Sequence, residues 1–162
     1  MKSKKNTLVS CAAVGCVTTA IFLLLCIIKG IYPFGTATLD TVDFQSQWIP
    51  AYYHVWDVLH GDGSAFFDWR VGGGNNFAGV SAQFSLLSPF NLFFLFVKRS
   101  WIEKSMIVFI FIKLLAMGYS MRWFLKEQVL GEERYGVYIL AGSVGYAVNG
   151  YTLLYYGMGW LD

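Results

Sequence analysis

Residues 8–28 read LVSCAAVGCVTTAIFLLLCII and contain no charged residue. An α-helix of these 21 residues would span the roughly 30 Å hydrocarbon core of a bilayer at about 1.5 Å per residue. Lys5 precedes the stretch and Lys29 follows it. A signal peptide also places an apolar region after basic residues, but that region usually has about 7–15 residues and ends at a small-residue cleavage site. The length of the stretch and its Ile-Ile-Lys end predict an uncleaved transmembrane helix.

The composition extends this interpretation to the whole chain. Hydrophobic residues make up 56% of it and aromatic residues 19%, whereas charged residues make up only 14%. Soluble domains carry about 25% charged residues, so this chain has too few to cover a core in water, and we expect a lipid bilayer as its partner. The net charge of +2 and the lack of a basic patch with interleaved aromatic residues argue against a nucleic-acid partner.

Three further apolar stretches predict an all-α membrane protein, a polytopic helical bundle. The four predicted transmembrane helices are residues 8–28, 83–97, 106–125 and 135–161. The second is short, because it reaches only about 24 Å at helical rise even if it starts at residue 82. Pro89 fits the first turn of a helix that begins at Ser88.

Two of these helices carry packing signals. In the last one, Ala141/Gly145 and Ser143/Ala147 are pairs of small residues at a spacing that allows close helix approach. The third contains Lys113. Because a charge is costly in lipid, we expect Lys113 to face a partner or a cavity.

The basic residues predict the orientation. The tail, residues 1–7, and the loop at residues 98–105 are rich in Lys and Arg, and such segments face the cytoplasm. Residues 29–82 hold five Asp but only two basic residues, which predicts a large external loop after the first helix. The loop at residues 126–134 is then also external. The predicted location is the cytoplasmic membrane, with several crossings and a cytoplasmic N-terminus.

The external loop shows local patterns of its own. Residues 48–59 predict a short amphipathic helix, because large apolar side chains recur on one face: Ile49, Tyr52, Tyr53 and Trp56. Residues 72–76 read GGGNN and predict a loop, without the spacing of a dinucleotide fingerprint. His54 and His60 lack a Cys, His or Glu partner at ligand spacing and are interpreted as loop histidines.

Two carboxylates, Asp40 and Asp43, follow the first helix closely in the stretch TATLDTVDFQSQW, residues 36–48. A carboxylate at that depth can act as a general base toward an acceptor hydroxyl, or hold a divalent cation against a phosphate. Asp is also common in solvated loops and at helix N-caps, so spacing alone leaves both interpretations open. No Cys/His pattern of a protein metal site occurs, and no metal ligand is predicted.

A series of short motifs resembles the YfhO-type family of bacterial polytopic membrane proteins. In chain order they are Asp43-x-x-x-Gln47-Trp48, Phe67-Asp68-Trp69, GGGNN at residues 72–76, Leu87-Ser88-Pro89-Phe90-Asn91-Leu92, a Gly/Tyr pattern at residues 142–151, and Trp160-Leu161-Asp162. The similarity runs from about Ile31 to the last residue. The sequence departs from the family pattern at Trp48, where Tyr is usual, and at Asp68, which separates Phe67 from Trp69.

The resemblance implies a GT-C-like fold, as in glycosyltransferases that take sugars from polyprenyl-phosphate donors outside the cytoplasmic membrane. It also implies that Asp43 is the catalytic carboxylate that serves the acceptor hydroxyl, with Gln47 beside it. Asp40 matches no motif position. We expect the substrate-binding residues in the same loop: Gln47, Asp40, Trp69, Arg70, Gly73 and Asn75. For Arg70, a salt bridge to Asp68 or another nearby Asp is an equal alternative to a lipid phosphate.

The expected function is transfer of a sugar from a polyprenyl-phosphate donor to a cell-envelope polymer or lipid. The expected partners are therefore the lipid-linked donor and the envelope acceptor, while a divalent cation as cofactor stays open. The alternative is a non-catalytic polytopic membrane protein, such as a transporter or assembly subunit. Because the resembling family is several-fold longer and Asp162 directly follows an apolar stretch, we also expect a truncated N-terminal part that is inactive alone.

Overall fold

The computed structural model describes residues 2–37, 44–80, 88–130 and 136–155. Within these ranges the chain is mainly helical, with one two-stranded antiparallel sheet, which confirms the predicted helical class; the polytopic bundle stays a prediction. The chain divides into two compact units. Unit 1 is Met1–Thr36 with Phe111–Leu154, and unit 2 is Ala37–Ile110 with Tyr155–Asp162.

Helix α1, Lys2–Lys29, contains the uncharged apolar stretch at residues 8–28. Its segment Val9–Lys29 has a mean hydropathy of 2.6 and is the one described helix long and apolar enough to cross a membrane. Several apolar side chains along it are more than half exposed, as suits contact with lipid. The helix ends at Gly30, whose φ of +61° is in the left-handed region that favours glycine, and the N–H of Ile31 donates to the Cys26 carbonyl at 2.9 Å.

Unit 1 packs α1 against α5, Gly136–Ala147, and contains the C-terminal part of α4, Ile102–Phe124. The ring of Phe22 in α1 stacks on that of Phe111 in α4, with 5.2 Å between the centroids. Helix α4 begins four residues before the predicted 106–125 helix and continues into a π-helix, Leu125–Leu130. Apolar contacts between helices therefore hold unit 1 together.

The small-residue pairs of α5 were predicted to lie in helix packing, and the lysine of α4 to face a partner or a cavity. Ser143 and Ala147 are fully buried, whereas Ala141 and Gly145 are exposed, so one of the two small-residue pairs lies in the helix packing. Lys113 is buried within α4, which agrees with the expectation that its charge faces the protein and not lipid.

The last apolar stretch differs from the single predicted helix over residues 135–161. Its described part forms two helices, α5 (Gly136–Ala147) and α6 (Gly150–Tyr155). Asn149 separates them, because its Oδ1 accepts a hydrogen bond from the Thr152 N–H at 2.9 Å while its Nδ2 donates to the Tyr146 carbonyl at 2.7 Å. An Asn side chain that bonds the backbone in this way starts a new helix at the cost of continuing the old one.

The first described helix of unit 2 is a π-helix, Phe44–Trp48, that runs into α2, Ile49–Leu59. Pro50 stands in the first turn of α2, where its missing N–H costs no helical hydrogen bond. The predicted amphipathic helix over residues 48–59 is confirmed to within one residue. Its buried side includes Tyr52, whose ring packs against Phe94 at 5.3 Å and Phe109 at 5.4 Å between centroids.

A small hairpin follows α2. Strand β1, Phe67–Asp68, pairs antiparallel with β2, Asn75–Asn76, and a short helix α3, Phe77–Val80, comes directly after it. Of the predicted loop at residues 72–76, the three glycines lie in the turn of this hairpin, whereas Asn75–Asn76 form strand β2. The three glycines have φ of +55°, +78° and +110°, a conformation that side chains rarely adopt.

Pro89–Phe96 forms a 3-10 helix, so the described part of the predicted transmembrane helix over residues 83–97 is not α-helical, and a crossing at this segment stays a prediction. Eight residues at about 2.0 Å each reach roughly 16 Å, about half the hydrocarbon thickness. The predicted start at Ser88 is confirmed, because its Oγ accepts from the Phe90 N–H at 3.2 Å. A second 3-10 turn, Arg99–Trp101, leads into α4.

Candidate functional site

A cavity of about 650 Å³ lies in unit 2. The π-helix and α2 form one part of its wall. The hairpin turn, the first residue of α3, the 3-10 turn at Arg99 and the start of α4 form the rest. The lining combines amides, an aromatic ring and both signs of charge, from side chains that include Gln45, Gln47, Tyr53, Asp57, Arg99 and Glu103. A cleft of this size with convergent polar groups suits a polar small-molecule ligand.

Asp57 is the centre of the charged groups and is only 5% exposed. Nε of Arg99 donates to its Oδ1 at 2.8 Å, and Nη1 of Arg70 donates to its Oδ2 at 3.0 Å. The hydrogen bond from Arg99 lowers the pKa of Asp57, and the charges of both arginines act in the same direction against the opposing effect of burial. The carboxylate therefore stays ionised and joins α2 to two other segments of unit 2.

Arg70 is held by carboxylates at the rim of the cavity. Its Nε and Nη2 donate to Asp68 at 3.0 Å and 2.7 Å, and Nη2 also donates to the Asp62 carbonyl at 3.0 Å. The hydrogen bonds from the Arg70 side chain, and then the one from its backbone N–H, hold the pKa of Asp68 well below its usual range. Of the two alternatives for Arg70, the structure shows the salt bridge to Asp68.

The aromatic ring of Tyr53 lies beside the ion pair of Asp57 and Arg99. The guanidinium of Arg99 lies over this ring, 5.0 Å from its centroid, and the Tyr53 hydroxyl donates to Oε1 of Glu103 at 3.4 Å. Burial and then the charge of Glu103 raise the pKa of Tyr53. A ring face next to carboxylate and amide groups can pack on the C–H face of a sugar while the polar groups bond its hydroxyls.

His54 lies inside α2 and is buried, so its interpretation as a loop histidine is wrong. Its Nε2 is 3.1 Å from the Ser64 carbonyl, and its ring meets Phe77 edge-on with 4.0 Å between centroids. The sequence pattern missed this because a histidine on the buried side of a helix looks the same as one at its end. His60 does lie just past the end of α2, stacked on Trp56 at 3.8 Å.

The structure brings two of the predicted site residues, Gln47 and Arg70, to the same cavity. The other described ones belong to the hairpin and do not line it: Trp69, Gly73 and Asn75. Trp69 is mostly exposed and packs against Phe67 at 5.2 Å between ring centroids. Asp40 and Asp43 lie outside the described residues.

Sequence reasoning missed Asp57 and Arg99. Asp57 carried a usable signal, because it lies four residues after Tyr53 and beside Trp56 on a helix rich in aromatic residues, and a carboxylate buried there needs a partner. For Arg99 there was no such signal in the sequence, because the predicted topology placed it on the opposite side of the membrane from α2.

Metal ligands are not grouped in the described ranges. No set of three or more His, Cys, Asp or Glu side chains there is arranged to hold a metal ion. The acidic side chains that line the cavity, Asp57 and Glu103, accept hydrogen bonds from arginine or tyrosine donors. The described part of the cavity thus offers hydrogen bonds and charges to a ligand.

Comparison with known proteins gives one match. A family model described as bacterial membrane protein YfhO matches residues 15–162, most of the chain. No curated protein and no solved structure matches it. The family match confirms the resemblance inferred from the ordered motifs.

Proposed function

The chain belongs to the YfhO family of bacterial membrane proteins, and we propose that it is part of an integral membrane glycosyltransferase. The proposed reaction moves a sugar from a polyprenyl-phosphate donor to a cell-envelope polymer or lipid, outside the cytoplasmic membrane. One observation carries the proposal. The motif residue Gln47 lines a cavity whose ring, amide and carboxylate groups suit a sugar.

Asp43 is the proposed catalytic residue. In the sequence it directly precedes the π-helix, whose Gln45 and Gln47 line the cavity. Only one residue separates Asp43 from Gln45 in the sequence, and this supports the proposal. The carboxylate of Asp43 accepts the proton of the acceptor hydroxyl while the hydroxyl oxygen attacks the anomeric carbon of the donor sugar. The sugar–phosphate bond breaks and polyprenyl phosphate is released. Gln47 orients the acceptor or the donor phosphate.

The membrane supplies the donor in this scheme. Helix α1 is long and apolar enough to cross the bilayer, and an amphiphilic donor presents its phosphate–sugar bond at the bilayer surface. We propose several crossings, a cytoplasmic N-terminus, and the cavity on the external side. Asp40, Trp69, Gly73 and Asn75 are proposed as further substrate contacts beyond the described lining of the cavity, with Asp40 less important than Asp43.

A second candidate function is non-catalytic transport, favoured by the buried Lys113 within α4. An ionisable side chain inside a membrane segment often marks an ion or substrate path. A Lys113→Met variant separates the two functions. It should abolish transport if the protein is a transporter, whereas sugar transfer in a glycosyltransferase should survive it.

Binding of the donor tests the glycosyltransferase proposal. The full-length protein in nanodiscs is titrated with a panel of polyprenyl-phosphate monosaccharides, and the dissociation constants of wild type, Gln47→Ala and Gln128→Ala are compared. Loss of one hydrogen bond at Gln47 should weaken binding about tenfold. Gln128 is exposed in the π-helix of unit 1, so its variant should bind like wild type. Absence of binding to every donor, or equal affinity for both variants, would contradict the proposal.

A further inference from the structure

Within unit 2, residues that precede the second apolar stretch (83–97) contact its last residue and a residue that follows it. Nε of Arg99 is 2.8 Å from Oδ1 of Asp57, and the indole N–H of Trp56 donates to the Val97 carbonyl at 2.7 Å. A hydrocarbon core about 30 Å thick cannot separate atoms that are hydrogen-bonded to each other. The contacts therefore contradict the prediction that residues 29–82 and 98–105 lie on opposite sides of the membrane.

The 3-10 helix Pro89–Phe96 has one buried side and one exposed apolar side. Asn91 and Phe94 face the core of unit 2, and Phe94 is fully buried. Leu92 and Leu95 are three apart, so they share a face at three residues per turn. Both are exposed, and the neighbouring Phe96 is 87% exposed. Exposed apolar side chains grouped on one short element are typical of an interaction site.

The charges beside this surface indicate what covers it. Lys98 and Lys104 are exposed, Trp101 is half exposed, and Nζ of Lys104 lies over the Trp101 ring at 5.6 Å from its centroid. A Trp ring with flanking lysines next to an apolar segment is typical of the bilayer interface. The lysine charges complement the phosphates of anionic lipids.

We infer that residues 88–104 form an interfacial anchor on the same side of the membrane as residues 44–80. Its partner is the lipid bilayer surface. The exposed side of the 3-10 helix enters one leaflet, the lysines contact lipid phosphates, and the segment does not cross. This inference is independent of the proposed reaction, because it concerns where unit 2 sits and not what its cavity binds.

Cysteine accessibility tests the shared side. Asp62→Cys and Ser100→Cys, both at exposed positions, are made separately in the full-length protein after the three native cysteines are changed to serine. An impermeant thiol reagent is then applied to intact and to permeabilised cells. The inference requires the two sites to behave alike. Labelling of both in intact cells supports it with the cavity outside, and protection of both supports it with the cavity inside. Labelling of only one in intact cells would overturn it.

A depth measurement tests the lipid partner. A spin label on Phe96→Cys, in vesicles of phosphatidylcholine and phosphatidylglycerol, should report a position about 5–10 Å below the headgroups. The same label on Ser100→Cys is the matched control and should report a position at or above the headgroups. A label at position 96 in water would assign this surface to a protein partner, and one at the bilayer centre would indicate a crossing. Either result would overturn the inference.

Discussion

Replacing Asp57 by Asn should lower the free energy of local opening of unit 2 by about 2 kcal/mol. The Asp57 carboxylate is buried and accepts three hydrogen bonds from two guanidinium groups. Removing one partner of a fully buried ion pair costs about 3–5 kcal/mol. The side chains of Arg70 and Arg99 are 51% and 53% exposed, so water recovers part of this loss. Asn also retains one acceptor oxygen. The remaining loss corresponds to about a 30-fold shift in the opening equilibrium.

Hydrogen exchange measured by mass spectrometry on the full-length protein in nanodiscs reports this shift. Amides of α2 and of residues 97–104 should exchange about 30-fold faster in Asp57→Asn. Asp62→Asn is the matched control, because it makes the same chemical change at an exposed side chain five residues along the chain. Wild-type protection in Asp57→Asn, or equal loss of protection in both variants, would refute the role given to this ion-pair centre.

Two further predictions concern the same unit. The pKa values of Asp57 and Asp68 are lowered in the folded protein. The two ionised carboxylates therefore contribute fully to the stability of the fold above the ordinary Asp pKa of 3.8, and this stabilisation is lost as pH falls through the lowered pKa values. Exchange protection of α2 should therefore hold from pH 7 to about 4 and fall below that; a loss already at pH 6 would contradict it. Gly74→Ala should destabilise the hairpin by about 1–2 kcal/mol, because φ is +110° and the new Cβ would lie 2.7 Å from the Trp69 ring. Gly72→Ala should cost less, since it meets open space, and thermal unfolding of both variants measures the difference.

Local patterns predicted a large part of the fold. The uncharged stretch predicted α1, the aromatic spacing predicted α2, and the glycine run predicted a loop where the structure has the turn of a hairpin, although the hairpin itself was not predicted. The 3-10 helix could not be predicted, because a short apolar run looks alike whether it spans lipid, packs on a core or lies at an interface. Its structure depends on Phe94 packing into unit 2, and that is a contact between distant parts of the chain.

The candidate site was predicted in part. Gln47 and Arg70 were found through ordered motifs and through the scarcity of basic residues in the loop. The pairing of Asp57 with Arg99 joins residues 42 positions apart, and neither composition nor periodicity reveals such a partner. The charge pattern even opposed it, because the Lys/Arg-rich segment around Arg99 was assigned to the cytoplasm by a rule that counts charges without regard to their partners.

The proposal that Asp43 is the catalytic base is tested most directly by the rate of sugar transfer by the full-length protein carrying Asp43→Asn. Asn keeps the size of the side chain but removes its basicity, so turnover from a polyprenyl-phosphate sugar should fall by about 10²–10⁴-fold, with exchange protection of α2 unchanged. Asp40→Asn is the matched control and should retain most of the activity. Near-normal transfer by Asp43→Asn with an inactive Asp40→Asn would make Asp40 the base. Normal transfer by both variants would contradict the proposal that a carboxylate of this loop performs the chemistry.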